Sequence, residues 1–218
     1  MLYTGASLPL LRAQYVIDNI FLRGEFTVYE KYLKEFITAE RDALSLLADG
    51  VDASYDGVID LLAKCEGKIV FFGIGKSGHI GKKLAATFSS TGSPSIFVHA
   101  AEARHGDFGM IEKRDVVILL SHSGGTAETT VAVENLKKIG CATVAFCRSA
   151  DSDLARLCDY KMVYPFTREA DRLGVAPSSS TTVQLALGDS VALTLSALKG
   201  FTLEDFYKYH PGGALGKA

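Results

Sequence analysis

The stretch Val70-Phe71-Phe72-Gly73-Ile74-Gly75-Lys76-Ser77-Gly78-His79-Ile80-Gly81 restricts the fold more than any other part of the chain. An apolar run enters a glycine-rich turn, and the turn opens directly onto a helical pattern. That order reads as a strand, a tight loop and a helix N-terminus. Unpaired N–H groups at a helix start, aligned with the helix dipole, bind anions. The same logic returns at Val116-Val117-Ile118-Leu119-Leu120-Ser121-His122-Ser123-Gly124-Gly125-Thr126-Ala127-Glu128, where the strand ends in hydroxyls. Two such turns in one chain point to a small phosphorylated ligand and away from a purely structural role.

Around these turns, strand and helix patterns alternate. Val28, Tyr32, Phe36, Ile37, Leu44, Leu46 and Leu47 recur among charges and predict an amphipathic helix over 27–49, ended by Gly50. A second helix is expected over 56–64. Strands are expected over 68–73, 95–99, 115–121, 142–147 and 160–164, and further helices over 77–90, 126–139, 153–157, 180–198 and 202–208. Thr202 caps the last, with Asp205 three residues on. Residues 100–114 show no clear periodicity and read as a polar loop of the kind that often carries function. Strands alternating with helices imply parallel pairing and right-handed crossovers, and nearly all-apolar strands imply helices on both faces. The expected fold is therefore α/β, a three-layer doubly wound five-stranded parallel sheet in a single domain. That domain is placed at 27–218, after an N-terminal extension over 1–26. In such sheets ligands bind beyond the carboxyl ends of the strands, where both turns lie.

Composition narrows the partners. A chain of 218 residues with a formal net charge of -2 has room for one large core and shows no basic run, which argues against nucleic acid as a partner. The apolar stretch Leu8 to Leu11 contains Pro9 and is too short to cross a membrane, so neither a span nor a signal peptide is expected. Cys65, Cys141, Cys147 and Cys158 form no C-x-x-C pair and read as free thiols of a reducing, cytoplasmic compartment. No His/Cys cluster has metal-ligand spacing, and no metal is expected.

The motifs differ in specificity. Gly73-x-Gly75-x-x-Gly78 on its own suggests a dinucleotide turn. The following strand, however, ends Phe97-Val98-His99-Ala100, without the acid that would hold a ribose. P-loop spacing is absent as well. Ser121-x-Ser123-Gly124-x-Thr126 says more. A helix cap needs one hydroxyl, whereas three hydroxyls with turn amides suit a phosphate dianion. Gly75 and Ser77 on the first turn face the same ligand. Ser178-Ser179-Ser180-Thr181-Thr182 precedes the long apolar helix and reads either as a third wall of the pocket or as a serine loop with a single cap. His105, His210, Glu128 and Glu169 are, on sequence alone, as readily ordinary loop or surface groups as catalytic ones, and His79 reads as structural.

Taken together, the ordered segments Gly73–Gly81, Ala85–Gly92, Glu102–Asp107, Ser121–Gly124, Leu173–Thr182 and His210–Gly216 resemble the sugar isomerase (SIS) domain, and within it the D-arabinose 5-phosphate isomerases. The resemblance covers about residues 30–217. It implies a flavodoxin-like five-stranded parallel sheet, a homotetramer with active sites shared between subunits, and interconversion of D-ribulose 5-phosphate and D-arabinose 5-phosphate. That product would feed 3-deoxy-D-manno-octulosonate for lipopolysaccharide or capsule. The resemblance fills the catalytic positions with Lys76, His105, Glu128, Glu169 and His210. The substrate-binding positions are Gly75, Ser77, Ser121, Ser123, Thr126, Ser178, Ser179, Ser180 and Thr181. Members commonly carry two CBS domains after the last glycine motif. None is expected here, and feedback by CMP-3-deoxy-D-manno-octulosonate is then expected to compete at the active site. Two positions depart from the usual pattern: His122 stands where Asn is common, and Asp171-Arg172 where Cys-Pro or similar is common.

Moving a proton between C1 and C2 through an enediol needs one base that later acts as acid. Glu169 is the first candidate and Glu128 the second, with burial expected to raise the carboxyl pKa toward neutrality. His210 would shuttle protons between the oxygens, His105 would open the furanose ring, and Lys76 would supply positive charge. No cofactor is expected. Two alternatives stay open: an isomerase of another sugar phosphate, and a non-catalytic phosphosugar-sensing module.

Overall fold

A computed structural model describes residues 27–212; the extension 1–26 and the end of the last glycine motif, 213–218, lie outside the described residues. In chain order the helices are α1 Thr27–Asp49, α2 Asp56–Ala63, α3 Gly75–Ser90, α4 Ala100–Ala103, α5 Ala127–Ile139, α6 Asp153–Leu157, α7 Ser179–Leu198 and α8 Leu203–Tyr209. The strands are β1 Ile69–Gly73, β2 Ser95–His99, β3 Val116–Leu120, β4 Ala142–Cys147 and β5 Tyr160–Val163. They pair in the order β2-β1-β3-β4-β5, every pair parallel. This is the expected doubly wound α/β sheet.

The three layers follow from the side-chain period of a strand. Ile69 and Phe71 enter one core with Ile118, Leu120, Val144 and Phe146, while Val70 and Phe72 enter the other with Val117, Leu119, Ala145 and Cys147. The first core is closed by Leu62 of α2, Leu84 and Phe88 of α3, and Val183, Val191 and Leu195 of α7. The second is closed by Ala132, Val133 and Leu136 of α5 and by Leu154 of α6. Leu62, Leu84, Leu136 and Leu195 are fully buried. Each such side chain contributes roughly 1.5–3 kcal/mol through water released. By length and composition α7 could cross a membrane. Here Val183, Leu187, Val191 and Leu195 line its inner face against the sheet, which makes it a core helix.

Two expectations need correction. Helix α3 begins at Gly75, two residues before the expected 77, because Gly75 itself adopts φ +60 at the turn and leads into the first helical residues. The stretch 100–114 is no featureless loop. Ala100–Ala103 form a helical turn and Asp107–Met110 a 3₁₀ turn, with Ala100, Ala103 and Ile111 buried in the second core. Elements this short complete no sequence period, and packing alone fixes them. The four cysteines are free, Cys141 and Cys147 buried and Cys65 and Cys158 partly so. Burial pushes the Cys141 thiol to about 11 and that of Cys158 to about 12, which leaves both protonated.

Candidate active site

Parallel pairing brings the two turns together. Gly73, the last residue of β1, lies opposite Leu120, the last of β3, so the Gly75 and Ser121 turns emerge side by side at the topological switch point. At the first turn Ile74 precedes α3 with extended backbone and no side-chain cap, leaving the helix amides open. At the second, Ser121 Oγ and Thr126 Oγ1 lie 2.8 Å apart, and the Gly124 and Gly125 amides donate to Ser121 Oγ and Ser123 Oγ at 3.1 and 3.2 Å. Thr126 makes no side-chain cap to α5, so that helix start is open too. Gly124 has φ +69, and a Cβ there would lie 2.2 Å from Ser152 Oγ. Only glycine closes this turn.

The third element is Glu169, 6% exposed in the segment between β5 and α7. Its Oε2 accepts the backbone N–H of Ser178 at 2.9 Å and of Ser180 at 3.1 Å. Ser178 Oγ accepts the Ala170 N–H at 3.0 Å, closing the loop on itself. Burial pushes the Glu169 carboxyl up, but the hydrogen bonds from Ser180 and Ser178, with His122 nearby, outweigh it and hold the pKa below the usual carboxylate value. The expected upward shift is thus reversed. The reason is that Glu169 caps α7, where open amides favour the charged form.

Beside Glu169 stands His122. Its Nδ1 lies 2.9 Å from the Tyr164 hydroxyl, and its ring meets Phe166 edge-on at 4.4 Å. Burial lowers its pKa, with Arg148 adding to the effect and Glu169 opposing it. Ser77 Oγ donates to Gln184 Oε1 of α7 at 3.2 Å, tying the first turn to the same helix.

A model of the SIS domain matches residues 61–194. The chain belongs to the SIS domain family. Its relatives are consistent with that assignment. Arabinose 5-phosphate isomerase KdsD of Escherichia coli K12 is 44% identical over 184 residues, 84% of this chain. KdsD of Pseudomonas aeruginosa PAO1 is 46% identical over 181 residues, 83% of this chain. The chain spans 56% of the length of each of these two curated relatives. A solved protein of E. coli CFT073 in complex with arabinose 5-phosphate is 50% identical with a TM-score of 0.84; the match covers 85% of this chain and 99% of that one.

In this SIS domain the residues singled out from sequence stand in different settings. Gly75, Ser77, Ser121, Ser123, Thr126, Glu169 and Ser178–Thr181 gather at the carboxyl end of the sheet through the contacts above. The serine segment is partly spent on its own helix: Thr181 Oγ1 donates to Ser178 O at 2.8 Å, and the Ser178 and Ser180 amides serve Glu169. Ser179 Oγ is buried without a partner among the described residues. Lys76 and Glu128 sit exposed in the first turns of α3 and α5. His105 is exposed beside Gly106, whose φ is +125. His210 bonds the Phe206 carbonyl through Nδ1 at 2.8 Å and stacks on the Phe206 ring at 3.9 Å. No hydrogen bond or ion pair joins Lys76, His105, Glu128 or His210 to Glu169 among the described residues.

Sequence reasoning passed over Tyr164 and Gln184. Tyr164 read as the end of a strand and Gln184 as one polar residue in an apolar helix. The usable signal was Gln184 itself, a polar group on the buried face of α7 that needed a partner. A groove of about 570 Å³ lined by Asp60, Lys64, Lys113 and Arg114 lies at the opposite, amino end of β3 and β4. It presents mixed charges far from the turns, and ligand chemistry in this fold belongs to the carboxyl ends.

Proposed function

We propose that this chain interconverts D-ribulose 5-phosphate and D-arabinose 5-phosphate through an enediol. The observation that carries the reading is the relative solved with arabinose 5-phosphate, half identical in sequence and covered almost end to end, together with an intact Ser121–Thr126 turn in the position where a phosphate would be held. The names of the KdsD relatives support the same substrate. Phosphate would rest on Ser121, Ser123, Thr126 and the open amides of α3 and α5. Glu169, already ionised, would take the proton from the carbon next to the carbonyl and return it to the neighbouring carbon. Its low pKa makes it a ready but weak base, and exclusion of water by bound sugar would strengthen it.

Tyr29, Leu33 and Ile37 of α1 are 59%, 62% and 67% exposed at a spacing of four residues, an apolar stripe suited to a second copy of the chain. Such an assembly fits the homotetramer expected from sequence. It would bring His105, exposed, and His210, part-buried, toward a neighbouring copy's site, as shared active sites require. We place the enzyme in the cytoplasm, supplying 3-deoxy-D-manno-octulosonate synthesis, in keeping with its free thiols. The test is direct: D-arabinose 5-phosphate in deuterated water, followed by NMR. Ribulose 5-phosphate should appear with deuterium at the transferred carbon. No turnover of either pentose phosphate, with turnover of another sugar phosphate, would move the assignment to that sugar.

A further inference from the structure

Buried polar groups lie beneath the site. Gln184 is fully buried; its Oε1 accepts a hydrogen bond from the Ser77 hydroxyl, while its Nε2 has no partner among the described residues. Tyr164 is fully buried just after β5. Burial pushes this phenol far up. Tyr164 therefore keeps its proton, and among the described residues one direction is open for its O–H to donate. That direction is His122 Nδ1, 2.9 Å away. Two donations result, Ser77 O–H to Gln184 and Tyr164 O–H to His122.

The consequence lies at the other ring nitrogen. A neutral imidazole that accepts at Nδ1 carries its proton on Nε2. The ring is held by the Phe166 edge at 4.4 Å and by Tyr164 stacked at 6.0 Å and 28°. Its Nε2 has no hydrogen-bond partner among the described residues, and the residue is part exposed. His122 also sits in the chain between Ser121 and Ser123, on the turn read as the phosphate cradle, and lies near enough to Glu169 for the two to influence each other.

We propose that His122 is a substrate-contacting residue: a neutral Nε2–H donor to the sugar oxygens between the Ser121–Thr126 turn and Glu169, its tautomer set by Tyr164. The inference rests on the isomerase reading above. Negative charge grows on O1 and O2 as the enediolate forms, and a fixed neutral donor stabilises it without reorganising. No proton leaves His122; Glu169 carries the C–H proton, and the imidazole supplies only a hydrogen bond. A neutral imidazole in this role leaves the site's charge unchanged and does not compete with Glu169 for a proton.

The test uses the full chain labelled with ¹⁵N in histidine. The free protein should show His122 protonated on Nε2 only, and D-arabinose 5-phosphate should shift that resonance. Tyr164→Phe keeps the ring and removes the lock. It should mix the two tautomers and lower kcat about tenfold with KM nearly unchanged. His122→Phe should lower kcat by roughly 10²-fold, the scale of one lost donor to a developing oxyanion, and His122→Asn, which restores an N–H, should recover most of it. A proton on Nδ1 in the free protein, or wild-type kcat in a folded His122→Phe, overturns the proposal. If the wild type turns over no pentose phosphate, the isomerase reading falls alone. The Nε2 resonance then decides this one, a shift with the sugar phosphate supporting it and an unmoved signal overturning it.

Discussion

The Glu169 carboxylate accepts the backbone N–H of Ser180 at 3.1 Å, so the candidate base is also the N-terminal cap of α7. One residue thus carries a structural and a chemical role, and the two separate by measurement. Glu169→Gln keeps a side-chain oxygen for the amides and should lower stability by only about 1 kcal/mol, the scale of a weakened cap. It should lower kcat by a factor on the order of 10²–10⁴ and stop solvent deuterium entering the sugar. Full activity in that variant would transfer the base to Glu128.

The same cap sets a pH dependence. The folded pKa of Glu169 lies below its unfolded value, which is about 4.3. Its contribution is therefore complete above the unfolded pKa and disappears as pH falls through the folded one. Urea titrations of wild type and Glu169→Gln should show their stability difference closing below about pH 4. A gap that widens on acidification would mean a raised pKa and would reinstate the sequence expectation.

Ser123 is exposed and its Oγ accepts only the Gly125 amide among the described residues. With bound sugar phosphate, its hydroxyl should donate to the dianion. Losing one hydrogen bond to a charged group costs roughly 1.5–3 kcal/mol, so Ser123→Ala should raise KM about tenfold or more. The fold should be untouched. An unchanged KM would put the phosphate elsewhere.

Two glycines of the turns should differ in kind. Gly75 has φ +60 and open space around its missing Cβ, so Gly75→Ala should cost only the left-handed backbone, roughly 1–2 kcal/mol. Gly124 has φ +69 and a Cβ there would meet Ser152 Oγ at 2.2 Å. Gly124→Ala must therefore displace Ser152, the cap of α6, as well, and its melting temperature should fall further. Equal losses in calorimetry would show that the Ser152 contact yields freely.

His105 makes no hydrogen bond or ion pair with Glu169 among the described residues. If it opens the furanose ring, His105→Ala should slow turnover of arabinose 5-phosphate more than that of open-chain ribulose 5-phosphate. Rapid-mixing measurements in each direction read this difference. Equal loss in both would assign His105 to the enediol step.

Every strand and most helices were legible in the sequence because their signals are local. The apolar run of Val116 to Leu120 and the hydroxyls that follow it are contiguous, so one reading gives both the strand and its phosphate turn. Even the Thr202–Asp205 capping box could be read from a spacing of three residues, and it forms as expected. Ala100–Ala103 was missed because one turn of helix completes no period.

The protonation states were decided only by tertiary structure. Glu169 is held by amides nine and eleven residues away, Tyr164 O–H reaches His122 across 42 residues, and Ser77 meets Gln184 across 107. The sequence by itself determined the β-α alternation and the two turns, since backbone dihedrals and side-chain periodicity act over a few residues. Only the folded sheet decided that Glu169 stays ionised and that Tyr164 faces His122. A pKa or a tautomer depends on the charges and donors packed around a group, and the chain assembles those from distant segments.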